Sequence, residues 1–329
     1  MTARTTWPPV IGVLVAAPWF AEMAWGGFPV VDLPLILLFL SPLYGCAALL
    51  IREVARRTGR GWPTMLLLGA AFGVLQAGVV DQSLFNPAYG RYDFQHPVHV
   101  GGIDISLYWA LAFLSGHVVA SMATPIALAE AWTRAPGRRR PWLGRRGVPV
   151  VATIYVLASV VNHLGVKEDE GHGFQARPVQ TLTALAVVAL LVLAALRWRR
   201  RDVTDVRVPR PAVVLGLGFA AYLLYLPGEG AAAAAVGVVV VTATIGVVGR
   251  WSTSPRWTDD HVAALVVGTV LVGAAMPFLV EPYDDSVASG TELVQDSAAA
   301  MICLLGVLGT WWRLRVLDRI DRGPTTSGP

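Results

Sequence analysis

The chain has 329 residues, of which 55% are hydrophobic and 15% charged, with a formal net charge of +4. Soluble proteins carry about 25% charged residues, and here the apolar residues run in long blocks rather than amphipathic stripes, which excludes an ordinary soluble domain. Cys46 and Cys303 both sit inside apolar runs, which leaves no disulfide framework.

In chain order the blocks predict ten membrane spans, at 8–26, 31–51, 61–80, 106–130, 147–166, 179–197, 211–227, 230–249, 261–280 and 293–312. Helices of this length satisfy their own backbone hydrogen bonds in lipid. The expected fold is therefore all-α, a polytopic transmembrane helix bundle of about ten spans. The first block follows Arg4 as a signal peptide would, but Glu22 falls in the cleavage region and "FAEMA" is a poor small-x-small site. An uncleaved first helix is expected.

Basic residues orient the spans. With the N-terminus inside, every basic residue except Arg91, Lys167 and Arg177 falls in an inner segment. Both termini are thus expected on the cytoplasmic side. The same distribution reads "GRRRPWLGRR" (137–146) as an anchor beside anionic lipid, not as a nucleic-acid patch. The outer connections "KEDEGHG" (167–173) and "EPYDDS" (281–286) are acidic instead. Among the basic residues only Lys167 is a lysine, and alanine, valine and glycine abound, as in proteins of GC-rich bacterial genomes. A bacterial cytoplasmic membrane is the expected location, with the lipid bilayer as partner and no nucleic acid.

Polarity divides the chain. Span one carries Glu22 between Trp19 and Trp25; span two begins at Asp32 and contains Ser41, Pro42 and Tyr44; span three carries Gln76 and ends at Asp81. Span four has His117 with Ser121 one turn on. Span five has Tyr155, Ser159, Asn162 and His163 at spacings that make one stripe. At about 1.5 Å per residue, His117 lies roughly 16 Å below the outer end of its span, while Glu22, Gln76 and Asn162 lie only about 6 Å from theirs. Ionisable groups at such depth are costly and face an interior cavity as a rule. These ten residues (Glu22, Asp32, Gln76, Asp81, His117, Ser121, Tyr155, Ser159, Asn162 and His163) are the candidates for a polar pocket open to the outside. Residues 81–105, rich in turn-formers and aromatics, are placed to cover it. Spans six to ten are bland; Ala233, Gly237, Thr242 and Gly246 mark helix packing. The chain accordingly divides into a polar-lined half (1–178), an apolar half (179–312) and a cytoplasmic tail (313–329).

Three stretches carry a further pattern: "QAGVVD" (76–81), "FLSGH" (113–117) and "VVNHLG" (160–165). In this order they resemble the CPBP (Abi) family of intramembrane metalloproteases, whose spans carry Glu-Glu-x-x-x-Arg, Phe-x-x-x-His and His-x-x-x-Asn motifs. Phe113 and His117 have the spacing of the second motif. Gln76 and Ala77 stand in place of both glutamates, Asp81 in place of the arginine, and Asn162 precedes His163 instead of following it by four. The resemblance implies an intramembrane metal-dependent hydrolase, catalytically degenerate unless Glu22 or Asp81 supplies the base that Gln76 cannot.

No cofactor is expected from the sequence, although His117, His163 and a carboxylate are ligands of the kind a catalytic zinc takes. His96 and His99, with His172, are candidate ligands in the outer loops. Glu292 and Asp296 lie four apart at the start of span ten, where a helix favours negative charge. Arg52 and Glu53 read as an anchor at the inner end of span two. Three functions follow from these residues: a transporter-like or ligand-binding protein, a CPBP-like hydrolase, or a non-enzymatic membrane scaffold. Substrate, coupling ion and oligomeric state stay open at this point.

Overall fold

Proline sets the start of several helices, because at a first turn its missing N–H leaves no bond unmade. In the computed structural model, which describes residues 5–90, 92–198, 202–226, 228–280 and 289–321, Pro8, Pro63, Pro178 and Pro211 all occupy such positions. Besides a single helical turn at Ala135–Arg138, the helices among the described residues are α1 (Trp7–Met23), α2 (Val30–Arg57), α3 (Trp62–Val80), α4 (Leu107–Trp132), α5 (Gly147–Glu168), α6 (Pro178–Arg197), α7 (Pro211–Leu224), α8 (Ala231–Trp251), α9 (Asp259–Phe278) and α10 (Ser289–Asp321). Eight are long and apolar enough to cross a membrane, whereas α1 and α7 are shorter apolar helices. The sole strands among the described residues are β1 (His99–Val100) and β2 (Ile105–Ser106), an antiparallel pair within the loop between α3 and α4. The chain is an all-α membrane bundle.

The central cluster joins α1 to α4 through Val13, Leu43, Leu49, Met65, Met122 and Ile126. A second cluster seats α9 and α10 on α1 and α4, with Trp19, Met23 and Ala127 meeting Val266, Val270 and Cys303. The halves drawn at residue 178 therefore share one core. Helix α6 lies along α3, α7 along α9, and α8 beside α7 and the first half of α4. Helix α5 rests on α2 and α3 with no fully buried residue. The expected tail begins as helix, since α10 runs to Asp321. The acidic connection 281–286 lies outside the described residues, as does Arg91.

At the end the basic residues place inside, Arg52 and Glu53 do more than anchor α2. Arg52 is wholly buried and its guanidinium stacks 3.1 Å from the centre of the Trp142 ring. Its Nε donates to Glu130 on α4 at 2.9 Å, and its Nη2 donates to the carbonyls of Arg138 and Arg140 at 2.7 and 3.1 Å. Arg56 grips both oxygens of Glu130, at 2.9 and 2.6 Å. Glu53 accepts from Arg57 at 2.9 Å and from the Trp142 backbone N–H at 2.6 Å. Each buried charge thus meets an opposite charge and further hydrogen bonds, the condition under which burial is tolerated. The result binds the 133–146 connection to the ends of α2 and α4. The exposed arginines of "GRRRPWLGRR" stand on this fixed base.

Candidate functional site

Four helices depart from α geometry in one stretch each. Wider π turns occur at Trp19–Met23, Ser41–Gly45, Gln76–Val80 and His117–Ala123. Bonds of the i to i−5 kind close two of them, from Ala24 N to Trp19 O at 2.8 Å and from Asp81 N to Gln76 O at 2.9 Å. Proline supplies part of the cause: Pro18 precedes the first turn, Pro42 lies within the second and Pro125 follows the fourth, each lacking an N–H and crowding the carbonyl one turn earlier. Each turn carries a polar side chain: Glu22, Tyr44, Gln76 and His117. Such turns concentrate at functional sites.

Glu22, Tyr44 and His117 meet. The Tyr44 hydroxyl, on α2, donates to Glu22 Oε1, on α1, at 2.6 Å. The Tyr44 ring lies 6.0 Å from the His117 imidazole of α4, and Phe72 of α3 is 5.6 Å from the same imidazole. Gly73 permits this approach, for a Cβ there would stand 3.1 Å from His117 Cβ. One turn further out, Gln76 donates from Nε2 to Asp81 Oδ2 at 3.3 Å and to Asn162 Oδ1, on α5, at 3.1 Å. Asp81 Oδ1 accepts the Ser83 backbone N–H at 2.9 Å. His163 Nδ1 is 2.9 Å from the Val80 carbonyl, and Tyr155 sets its ring 6.3 Å from Phe72. The Glu170 carbonyl, on the connection after α5, accepts the Gly90 N–H of the outer loop at 2.7 Å.

Two atoms in this layer lack a hydrogen-bond partner among the described residues: Gln76 Oε1 and His117 Nε2. An unpaired buried polar atom costs about 1–3 kcal/mol. The layer thus holds unused hydrogen-bonding capacity where capacity is expensive.

Other expected members stand apart. Asp32 lies beside α10, where the Val31 N–H donates to Gln295 Oε1 at 3.1 Å, because the chain between α1 and α2 turns at Gly26 toward Pro277. Ser159 turns back on its own helix, its hydroxyl donating to the Tyr155 carbonyl at 2.9 Å. Ser121 is buried one turn below His117. The expected zinc ligands do not assemble: His163 bonds backbone, His117 packs against rings, and among the described residues no three His, Cys, Asp or Glu groups are set to hold a metal ion. Of the loop histidines, His96 and His99 stack at 5.9 Å while His172 reaches the Gly90 carbonyl at 3.2 Å. The Gln95 backbone N–H, and then His96, hold the Asp93 carboxyl below its usual range.

The stretch 81–105, expected as a cover, is folded against the α5–α6 connection. Phe94 is buried among Tyr89, Tyr92, Trp109 and Phe113, at ring distances of 4.8 to 5.6 Å. Asn86 donates to the Gly171 carbonyl at 3.2 Å, Gln82 accepts the Ala176 N–H at 2.8 Å, and Gln180 donates to the Ile103 carbonyl at 2.9 Å. Asp104 pairs with Arg177. Loop 81–106 and the α5–α6 connection thus form one cap over the polar layer. Two clefts elsewhere, one beside Glu292 and Asp296 and one between Trp25 and Tyr222, have room for about a single water each.

Sequence reading alone passes over Phe72, Glu170 and the partnership of Tyr44 with Glu22. The signal for the π turns is present in Pro18, Pro42 and Pro125, which fall near polar residues in three separate spans.

The model of an uncharacterized membrane protein family matches residues 10–312. No curated protein and no solved structure matches the chain.

Proposed function

The chain belongs to this uncharacterised membrane protein family, and we propose that it is a transporter-like or ligand-binding protein acting through the polar layer of α1–α5. The observation that carries this reading is the coincidence of four π turns with polar side chains, of which Glu22, Tyr44 and His117 meet one another while Gln76 bonds Asp81 and Asn162 beneath the outer loops. Packing alone has no need of Glu22, Gln76, Asp81 and His117 at that depth, and a scaffold would gain nothing from their cost. The opposite end is tied by the Arg52–Glu130–Trp142 network, so the bundle is held at one face and polar at the other.

In this reading the membrane is a bacterial cytoplasmic membrane, all ten helices span it, and both termini are cytoplasmic. The basic residues support that topology. Single cysteines in a background lacking Cys46 and Cys303 test it. Ala88→Cys should react with a membrane-impermeant thiol reagent from outside and Arg140→Cys only from inside; the reverse pattern overturns the orientation.

Asp81→Asn and His117→Ala test the site. Both variants should insert and melt as the parent does, and both should lose the thermal shift that a bound small molecule or ion produces in the parent. A full ligand shift in both would remove the polar layer as the site. The bond from Gln76 to Asn162 favours one second reading, since it joins the first and third motif positions of the CPBP resemblance. A hydrolase here would use Glu22 or Asp81 as base and a metal such as zinc. Stoichiometric metal in the purified protein, lost in His117→Ala and His163→Ala, would shift the assignment to that chemistry.

A further inference from the structure

The connection that leads into α5 ends on Arg145 and Arg146, both exposed, between two glycines that the structure fixes. The Gly144 N–H donates to Thr5 Oγ1 at 3.1 Å, and its carbonyl accepts Arg57 Nη2 at 3.4 Å and the Gly147 N–H at 3.0 Å. Just before it, Trp142 and Leu143 are buried. The Leu143 carbonyl accepts Arg57 Nη2 at 2.5 Å, and the Trp142 carbonyl accepts the Thr6 N–H at 2.8 Å. A topological anchor needs only enough positive charge on one side of the membrane, and a loose loop supplies that equally well. Here two consecutive arginines stand on backbone held by the buried network of α2. Such preorganisation lowers the cost of binding a ligand.

The same two residues open a helix whose face is apolar. The Val150 N–H donates to the Arg146 carbonyl at 3.4 Å, so helical geometry begins at Arg146. Its face runs on through Val150, Ile154, Leu157, Val161 and Leu164, at spacings of four and three. All five are exposed, from 40% at Ile154 to 61% at Leu157. At the far end of the connection Trp132, the last residue of α4, is half-exposed, as tryptophan at a membrane surface is. Fixed positive charge at headgroup depth thus passes within one turn into an unbroken apolar stripe. A phospholipid has its parts in that order, phosphate first and acyl chain after.

We propose that Arg145, Arg146 and the exposed face of α5 bind one anionic phospholipid, with the phosphate on the two guanidinium groups and an acyl chain along the stripe. Guanidinium suits this task, since it offers paired N–H donors to phosphate and stays charged. Arg139, earlier in the connection, is already engaged with Asp259 at 3.3 Å and takes no part. The proposal depends neither on the transporter-like reading nor on which side of the membrane the connection lies.

Native mass spectrometry of the purified full-length protein, titrated with phosphatidylglycerol or phosphatidylcholine of matched chains, tests it. The parent should retain one phosphatidylglycerol at concentrations where it retains no phosphatidylcholine. Arg145→Ala combined with Arg146→Ala should melt as the parent does without lipid. It should bind phosphatidylglycerol about twentyfold more weakly, at roughly fivefold for each surface arginine. Arg207→Ala combined with Arg250→Ala removes the same charge from exposed positions in two other connections, and should bind as the parent does. Arg145→Lys combined with Arg146→Lys keeps the charge and loses the paired donors; its affinity should be intermediate, and it guards against a turn disturbed by alanine. Equal retention of the two lipids, or equal weakening in the two alanine double variants, would overturn the proposal and leave only general attraction to charge. Displacement of the lipid by an equal concentration of glycerol phosphate would also overturn it, by making the site one for a soluble phosphate.

Discussion

Arg52→Ala should destabilise the protein by about 3–5 kcal/mol, the cost of breaking a buried ion pair by removing one partner. Arg52 touches Glu130 and Glu53, two backbone carbonyls of the 133–146 connection and the Trp142 ring. Its loss leaves Glu130 with only Arg56 and leaves Glu53, 1% exposed, with Arg57 alone. Arg52→Lys should recover a minor part of this, since an ammonium cannot reach a carboxylate, carbonyls and an aromatic face together as a planar guanidinium does. Thermal unfolding in detergent, followed by loss of helical circular dichroism, measures the effect. A melting point for Arg52→Ala equal to that of the parent would mean that the network contributes no net stability.

The second large effect is expected where α7 crosses α9. Gly218 and Gly268 face each other's helices so closely that a Cβ on Gly268 would strike the Leu215 carbonyl and stand 2.6 Å from the Phe219 backbone N. A Cβ on Gly218 would meet the backbone of Leu265 in turn. Backbone cannot step aside as a flexible side chain can, so Gly268→Val must push the helices apart. Overpacking costs about 1–3 kcal/mol where side chains adjust, and this site should lie at or above the top of that range. Helix α7 is the more exposed to such a change, because its 14 residues have α9 as their main support. The measurement is the melting point of Gly268→Val, with Gly218→Ala and the double variant beside it. The double variant should cost less than the two single changes together, as both open one crossing. Strict additivity would show that the glycines do not share a contact.

The helical class and the positions of the helices were legible because lipid demands long apolar runs and leaves little else to choose. Partnership was not. Gln76 and Asn162 are 86 residues apart, and nothing in either stretch says that one amide donates to the other. Asp32, like Asp81, is an acid at the outer end of its expected span, yet the chain turns at Gly26 toward Pro277 and sets it on the α10 side. Arg52 and Glu53 looked like an anchor because their meaning depends on Glu130 and Trp142, which only folding brings near. The 81–105 stretch was legible as a cover, but its hydrogen-bond partners on the α5–α6 connection were not, a pairing between two loops that no helical periodicity encodes.

The four π turns have one mechanical consequence. A π turn accommodates one residue more than α geometry would, and that residue has no fixed address along the helix. Passing it one position toward either end breaks and remakes a single backbone bond, and rotates the side chain it passes by about 100° around the axis. Glu22, Tyr44, Gln76 and His117 each sit on such a slip joint. A shift of this kind would turn a polar group to a new direction while its helix keeps its length.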